Sequence, residues 1–161
     1  MRCLGMLSAA VLAVGVGPAW AAEAQPPFDA CQVFTQADAE AALGAPAQPP
    51  AENPKVRRPK VVPACTYSAT RDGRHVAASA HFRFARSDAD ADKAFEENRL
   101  QFQTKPLLIR GADAAFWSGR TGEMNIRKGR TWVSVAVGPD KPADRDMEPA
   151  RKAAEALAKK L

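Results

Sequence analysis

Cys65-Thr66-Tyr67-Ser68-Ala69-Thr70-Arg71-Asp72-Gly73-Arg74-His75-Val76-Ala77-Ala78-Ser79-Ala80-His81-Phe82-Arg83-Phe84 decides the architecture of this chain. Apolar side chains recur at every second position on both sides of an Asp-Gly pair. Alternation of this kind puts one set of side chains on a buried face, and Asp-Gly supplies the positive φ that a two-residue turn needs. The reading is a β-hairpin whose core face carries Cys65, Tyr67, Ala69, Val76, Ala78, Ala80, Phe82 and Phe84. His75, Ser79, His81 and Arg83 take the opposite parity and are expected to face water.

Downstream, Ser87 offers a helix N-cap with Asp88 and Asp90 in the first turn, and Ala91, Phe95, Asn98 and Phe102 share one helical face to about Gln103. Pro106 to Trp117 is apolar with a Gly111-Ala112-Asp113 break, a connector leading into a short strand at Ala115 to Ser118. Met124 and Ile126, the turn Lys128-Gly129, and Val133, Val135 and Val137 repeat the hairpin pattern. After Gly138, Pro139 and Pro142, the stripe Met147, Ala150, Ala154, Leu157 and Leu161 marks a closing amphipathic helix. Upstream, Thr35 with Asp38 three residues on reads as a carboxylate form of the capping box, and Gly44 as the stop. Ala45 to Lys60 holds five prolines, Pro46, Pro49, Pro50, Pro54 and Pro59, which exclude a helix or inner strand and leave a long loop. These elements predict an α+β fold, an antiparallel sheet built from two hairpins with helices packed on one face.

Residues 1–22 open with Arg2, run through apolar Leu4 to Val16, and close on Ala19-Trp20-Ala21, the pattern of a secretory signal. The run is shorter than the roughly 18 to 20 residues needed to cross a hydrocarbon core, so no transmembrane segment is expected after cleavage. Residues 23–27 read as a flexible lead-in and residues 28–161 as a single domain containing the Pro-rich basic loop at 45–60. Cleavage removes Cys3 and leaves Cys31 and Cys65 as an even pair in an oxidising compartment, where a disulfide is expected. The expected location is periplasmic or secreted. The formal charge of +5 would suit nucleic acid in the cytosol, but export replaces that partner with anionic envelope components.

Cys31-Gln32-Val33-Phe34-Thr35-Gln36-Ala37-Asp38-Ala39-Glu40-Ala41-Ala42-Leu43-Gly44, the second cysteine in Ala64-Cys65-Thr66-Tyr67, Gly111-Ala112-Asp113-Ala114-Ala115-Phe116-Trp117 and the Lys128-Gly129 hairpin follow one another along most of the mature chain. In order and spacing they resemble a loose group of small bacterial exported domains and lipoproteins of unassigned function. The resemblance implies a secreted domain with Cys31 and Cys65 paired and implies no reaction. This chain lacks the cysteine that lipidation would need directly after the apolar run.

Lys55, Arg57, Arg58 and Lys60 place four cations in six residues, three of them between Pro54 and Pro59, the most suggestive patch in the chain. A proline-bounded loop holds such charges apart at low entropic cost, suiting a polyanion or an acidic protein surface; the bland alternative is a solvated charge run. Arg120, Arg127 and Arg130 would extend this area if the fold brought them close. Trp132 has the parity opposite to Val133, Val135 and Val137, so it belongs on the sheet's other face, either shielded by the proline-rich loop or exposed in a binding patch.

No catalytic residues are assigned. The chain has no Gly-x-Ser-x-Gly elbow, no Ser-x-x-Lys pair and no unpaired mature cysteine. Asp113 and Glu123 are conceivable as an acid and base for glycan chemistry, although turn and solvated roles suit them better. His75 and His81, about 20 Å apart along an extended strand, cannot chelate one ion together, and Met124 and Met147 fit hydrophobic positions, so no metal or cofactor is expected. The leading reading is a non-catalytic exported domain that binds an anionic envelope component or acidic protein partner through Lys55, Arg57, Arg58, Lys60 and Trp132. The alternative is a small apolar-ligand sensor or carrier with a pocket lined by Phe82, Phe84, Phe95 and Phe102. An envelope hydrolase is the weakest of the three.

Overall fold

The structure, a computed structural model, describes residues 28–50 and 62–161. The described residues form an α+β fold with one six-stranded antiparallel sheet in the order β1-β2-β6-β5-β4-β3. The hairpin that opens the sequence argument is β1 (Ala64–Arg71) and β2 (Arg74–Phe84), paired from Ala64↔His81 to Arg71↔Arg74. Asp72 and Gly73 both adopt positive φ, 53° and 73°, as a two-residue turn matching strand twist demands. The second hairpin, β5 (Glu123–Lys128) and β6 (Thr131–Gly138), turns at Gly129-Arg130, one residue later than Lys128-Gly129, because Lys128 still pairs with Thr131. β6 lies directly against β2, joining the two hairpins through the middle of the sheet. β4 (Ala114–Ser118) and the two-residue β3 (Pro106–Leu107) complete the far edge.

Helix α2 (Gln36–Leu43) carries the expected capping box: the Thr35 side chain accepts from the Asp38 N–H, Asp38 accepts from the Thr35 N–H, and Gly44 closes the helix at φ 66°. A four-residue helix, α1 (Ala30–Val33), precedes it, capped by Asp29. Cys31 of α1 is bonded to Cys65 of β1, with Cα atoms 5.1 Å apart. α4 (Met147–Ala158) lays an almost all-alanine stripe, Ala150, Ala153, Ala154, Leu157 and Ala158, against the sheet. Small side chains allow close approach, so Val133, Val135, Met124 and Ile126 are fully buried beneath it. Lys128 Nζ donates to the Ala158 carbonyl at 2.7 Å, supplying a cation to the helix C-terminus.

α1, α2 and α4 cover the face bearing Cys65, Tyr67, Val76, Ala78, Ala80, Phe82, Met124, Ile126 and the three valines of β6. α3 (Asp88–Gln101) departs from the expected one-sided packing. Its Phe95 is 3% exposed and meets Phe116 and Trp132 edge-on, with centroids 5.0 and 5.6 Å away. By strand parity these two aromatics belong to the opposite face. The physical reason is that β4 and β6 each place an aromatic there, and α3 offers just Ala91 and Phe95 as a buried stripe to cover them.

Candidate functional site

The opposite face of the sheet is built around a buried amide. In register, Arg83 of β2 pairs with Trp132 of β6, His81 with Ser134, Ser134 with Asn125 of β5, and Asn125 with Phe116 of β4. Asn125 Oδ1 accepts from Trp132 Nε1 at 3.0 Å and from Ser134 Oγ at 2.8 Å. Arg83 Nη1 donates to Ser134 Oγ at 2.9 Å, and its guanidinium lies over the Trp132 ring, 4.7 Å from the centroid. Asn125 and Ser134 are buried while Arg83 is exposed, so the network carries order from the interior out to a surface cation. Trp132 is shielded by Phe95 from one side and by Arg83 from another, a cover supplied by a helix and a cross-strand arginine.

Arg83 opens a basic end of the sheet. The Ala85 N–H donates to the Arg130 carbonyl at 2.9 Å, and Arg130 Nη1 reaches the Arg86 carbonyl at 3.4 Å, so the end of β2 and the β5–β6 turn bring Arg83, Arg86 and Arg130 together. All three are exposed, and none has a carboxylate partner among the described residues. Other arginines differ: Arg99 pairs with Glu96, Arg151 with Glu148 and Glu155, and Arg127 with Asp92 and Asp113. Phe84, 51% exposed, stands at the same end but on the face of Phe82, with Phe28 against both rings.

Lys55, Arg57, Arg58 and Lys60 lie outside the described residues. The chain returns from that segment at this end of the sheet, where the Pro63 carbonyl accepts from the Phe82 N–H at 2.8 Å, one residue from Arg83. Gln48, on the other side of the segment, donates its N–H to the Ser68 carbonyl on the outer edge of β1.

Arg120, Arg127 and Arg130 do not form one area. Arg120 stacks on Phe102 at 5.1 Å, Arg127 is committed to two aspartates, and just Arg130 joins the basic end. Asp113 and Glu123 are also apart. Asp113 accepts from the Gly129 N–H at 2.7 Å and from Arg127, and so clamps the β5–β6 turn, whereas Glu123 begins β5 opposite Ser118, about five strand residues or roughly 17 Å away. They make no catalytic pair. Phe82, Phe84, Phe95 and Phe102 likewise share no pocket, since Phe82 belongs to the helix-covered core and Phe95 to the other face.

His75 and His81 share the expected face but not an environment. His75 is exposed and 3.4 Å from Asp140, whereas His81 is half-buried. Burial pushes the His81 imidazole below its ordinary value, with nearby Arg83 acting in the same direction and Glu123 against it. No group of three or more His, Cys, Asp or Glu among the described residues is arranged to hold a metal ion, and no described helix is long and apolar enough to cross a membrane.

Asn125 and Arg86 went unmarked by sequence reasoning. Asn125 sits at the polar parity of β5 beside the odd-parity Trp132, a coincidence visible once the strand register is known. No family model, curated protein or solved structure matches this chain.

Proposed function

We propose that this is a non-catalytic exported domain that binds an anionic envelope component, or an acidic protein partner presenting the same chemistry, at the basic end of the sheet. The observation that supports it is that the end of β2 and the β5–β6 turn bring Arg83, Arg86 and Arg130 to one end of the sheet, exposed and without carboxylate partners among the described residues. Arginine without a carboxylate partner keeps its charge uncompensated, and the donors not spent on Ser134 or the Arg86 carbonyl are available to phosphate or carboxylate. The Ser134 and Asn125 network holds Arg83 in place before a ligand arrives, which reduces the ordering cost of binding. Export, and with it kinship to the exported group that the sequence resembles, belongs to this proposal and rests on residues 1–22. Lys55, Arg57, Arg58 and Lys60, outside the described residues, add charge in the stretch of sequence that precedes Pro63.

The test is a pull-down from an envelope fraction with mature protein, an R83Q/R86Q/R130Q variant and a K55Q/R57Q/R58Q/K60Q variant, each at low and moderate salt. The proposal expects a partner that is lost in the first variant, reduced in the second and weakened by salt, because exposed charge contacts are screened over about 8 to 10 Å near physiological ionic strength. Profiles identical across all three proteins would overturn it.

A further inference from the structure

A second feature lies at the opposite end of β2, beyond the turn of the first hairpin. A cavity of about 540 Å³ is floored by Val76, Val137 and Gly138 and bounded by two charged walls of different origin. One wall is the β1–β2 turn, with Arg71, Arg74 and His75 around Asp72. The other is the segment entering α4, with Asp144 and Asp146.

The walls touch at one side, where His75 Nδ1 lies 3.4 Å from Asp140 Oδ1, and each is otherwise fixed separately. Arg145 fixes the second by donating Nε to the Pro139 carbonyl at 2.8 Å, Nη1 to the Thr121 carbonyl at 3.2 Å and Nη2 to the Asp140 carbonyl at 3.0 Å. It packs so closely on Gly122 that a Cβ there would lie 2.8 Å from Arg145 Cδ. Arg71 is likewise anchored, to the Leu43 carbonyl at 3.0 Å. Among the described residues Arg74 and Asp146 have no ion-pair partner, and Asp144 has just Lys141 at 4.0 Å, on its own side.

Asp146 is left uncommitted at the start of α4. It occupies the N-cap of α4, where a carboxylate ordinarily accepts from the N–H two or three residues on. The third residue is Pro149, which has no N–H, so the Glu148 N–H is the one donor left, and Asp146 makes no capping hydrogen bond to it. Its charge therefore lines the cavity instead of closing the helix.

We propose that this cavity binds a small zwitterion of the amino-acid or dipeptide class, with its carboxylate toward Arg74 and its ammonium toward Asp144 and Asp146. The volume falls within the range of small-ligand pockets, roughly 300 to 1,000 Å³. A ligand of one charge would satisfy one wall and be repelled by the other; a zwitterion complements both.

The experiment is calorimetric titration of the mature protein with diglycine, N-acetyl-diglycine and diglycine amide, repeated with R74Q, D146N and D144N. The expected result is diglycine binding that weakens at least tenfold when either ligand terminus is blocked. R74Q abolishes the discrimination against the C-terminal amide, and D146N or D144N abolishes that against the N-acetyl form. R74Q and D146N replace exposed side chains, and D144N provides an independent probe of the acidic wall if D146N unfolds α4. No heat with millimolar diglycine, or equal binding of the blocked forms, would refute the proposal. R83Q/R86Q/R130Q must leave diglycine binding unchanged, which separates this cavity from the basic end of the sheet.

Discussion

Arg83 and Trp132 are cross-strand partners in which the guanidinium covers the indole 4.7 Å from its centroid while the indole N–H is held from beneath by Asn125. The pair joins a surface cation to a buried polar network. Its two members should therefore respond very differently to substitution. Arg83→Ala removes an exposed cation–π contact worth about 0.5 to 1 kcal/mol. Trp132→Ala also strips the contact with Phe95 and should cost about 3 to 5 kcal/mol. Urea unfolding of the two variants measures this; equal losses would show that the stacking is not organised as described.

Asn125 is 2% exposed and accepts two hydrogen bonds, from Trp132 and Ser134. Asn125→Ala leaves both donors without their acceptor, and each orphaned buried group costs about 1 to 3 kcal/mol. A loss of stability of at least about 2 kcal/mol is expected, accompanied by a change in near-ultraviolet dichroism from Trp132. The double variant Asn125→Ala, Ser134→Ala should lose less than the sum of the single changes, because one change already breaks the shared bond.

The Cys31–Cys65 bridge closes a loop of 34 residues that includes α2. In the chain-entropy description such a crosslink contributes about 3 to 4 kcal/mol. A Cys31→Ser, Cys65→Ser protein should lose about that much in denaturant unfolding and should no longer respond to reductant. Thiol titration of intact mature protein should find neither cysteine free; two reactive thiols would overturn the pairing.

Acidification should weaken the fold in two separate steps. Burial lowers the His81 imidazole below its ordinary 6.5, so the unfolded chain takes up this proton first, and the stability carried by neutral His81 is lost as pH falls below about 6.5. At Asp38, burial opposes ionisation, but the bonds from Lys160 and Thr35 outweigh it and hold the carboxyl below 3.8. That contribution is present above 3.8 and lost as pH falls through the lowered value. Thermal midpoints measured from pH 7 to pH 3 should therefore flatten in the upper window for His81→Gln and in the lower window for Asp38→Asn. A profile unchanged in both variants would place the acid sensitivity elsewhere.

Much of the fold was legible because its signals are local. The Asp72-Gly73 turn, the Thr35 and Asp38 capping box, the Ser87 cap and the alternating valines of β6 are each set by backbone sterics and nearest-neighbour hydrogen bonds. The shift of the second turn to Gly129-Arg130 is also local, but pairing of Lys128 with Thr131 decides it, and that depends on the partner strand. α1 escaped notice because four residues carry no periodicity. The placement of α3 escaped because Phe95 gives no indication of which sheet face it will meet.

The candidate sites show the same division more sharply. The odd parity of Trp132 was readable, as was the density of cations in the segment before Pro63. The separation of Asp113 from Glu123, the commitment of Arg127 to Asp92 and Asp113, and the scattering of the four phenylalanines over two faces were not. Each depends on strand order β1-β2-β6-β5-β4-β3, in which β6 inserts between β2 and β5.

What the sequence determined by itself was the α+β composition, the hairpins, the helix limits from Thr35 to Gly44 and after Ser87, and the pairing of two cysteines. All follow from periodicity, turn chemistry and counting. What only the tertiary structure decided was which charges meet: Arg83, Arg86 and Arg130 gathered at one end of β2, and Arg74 facing Asp144 and Asp146 across a cavity at the other. Secondary structure is governed by interactions over a few residues, whereas the proximity of residues about 45 to 70 positions apart is fixed by sheet order and by how the core closes beneath α4.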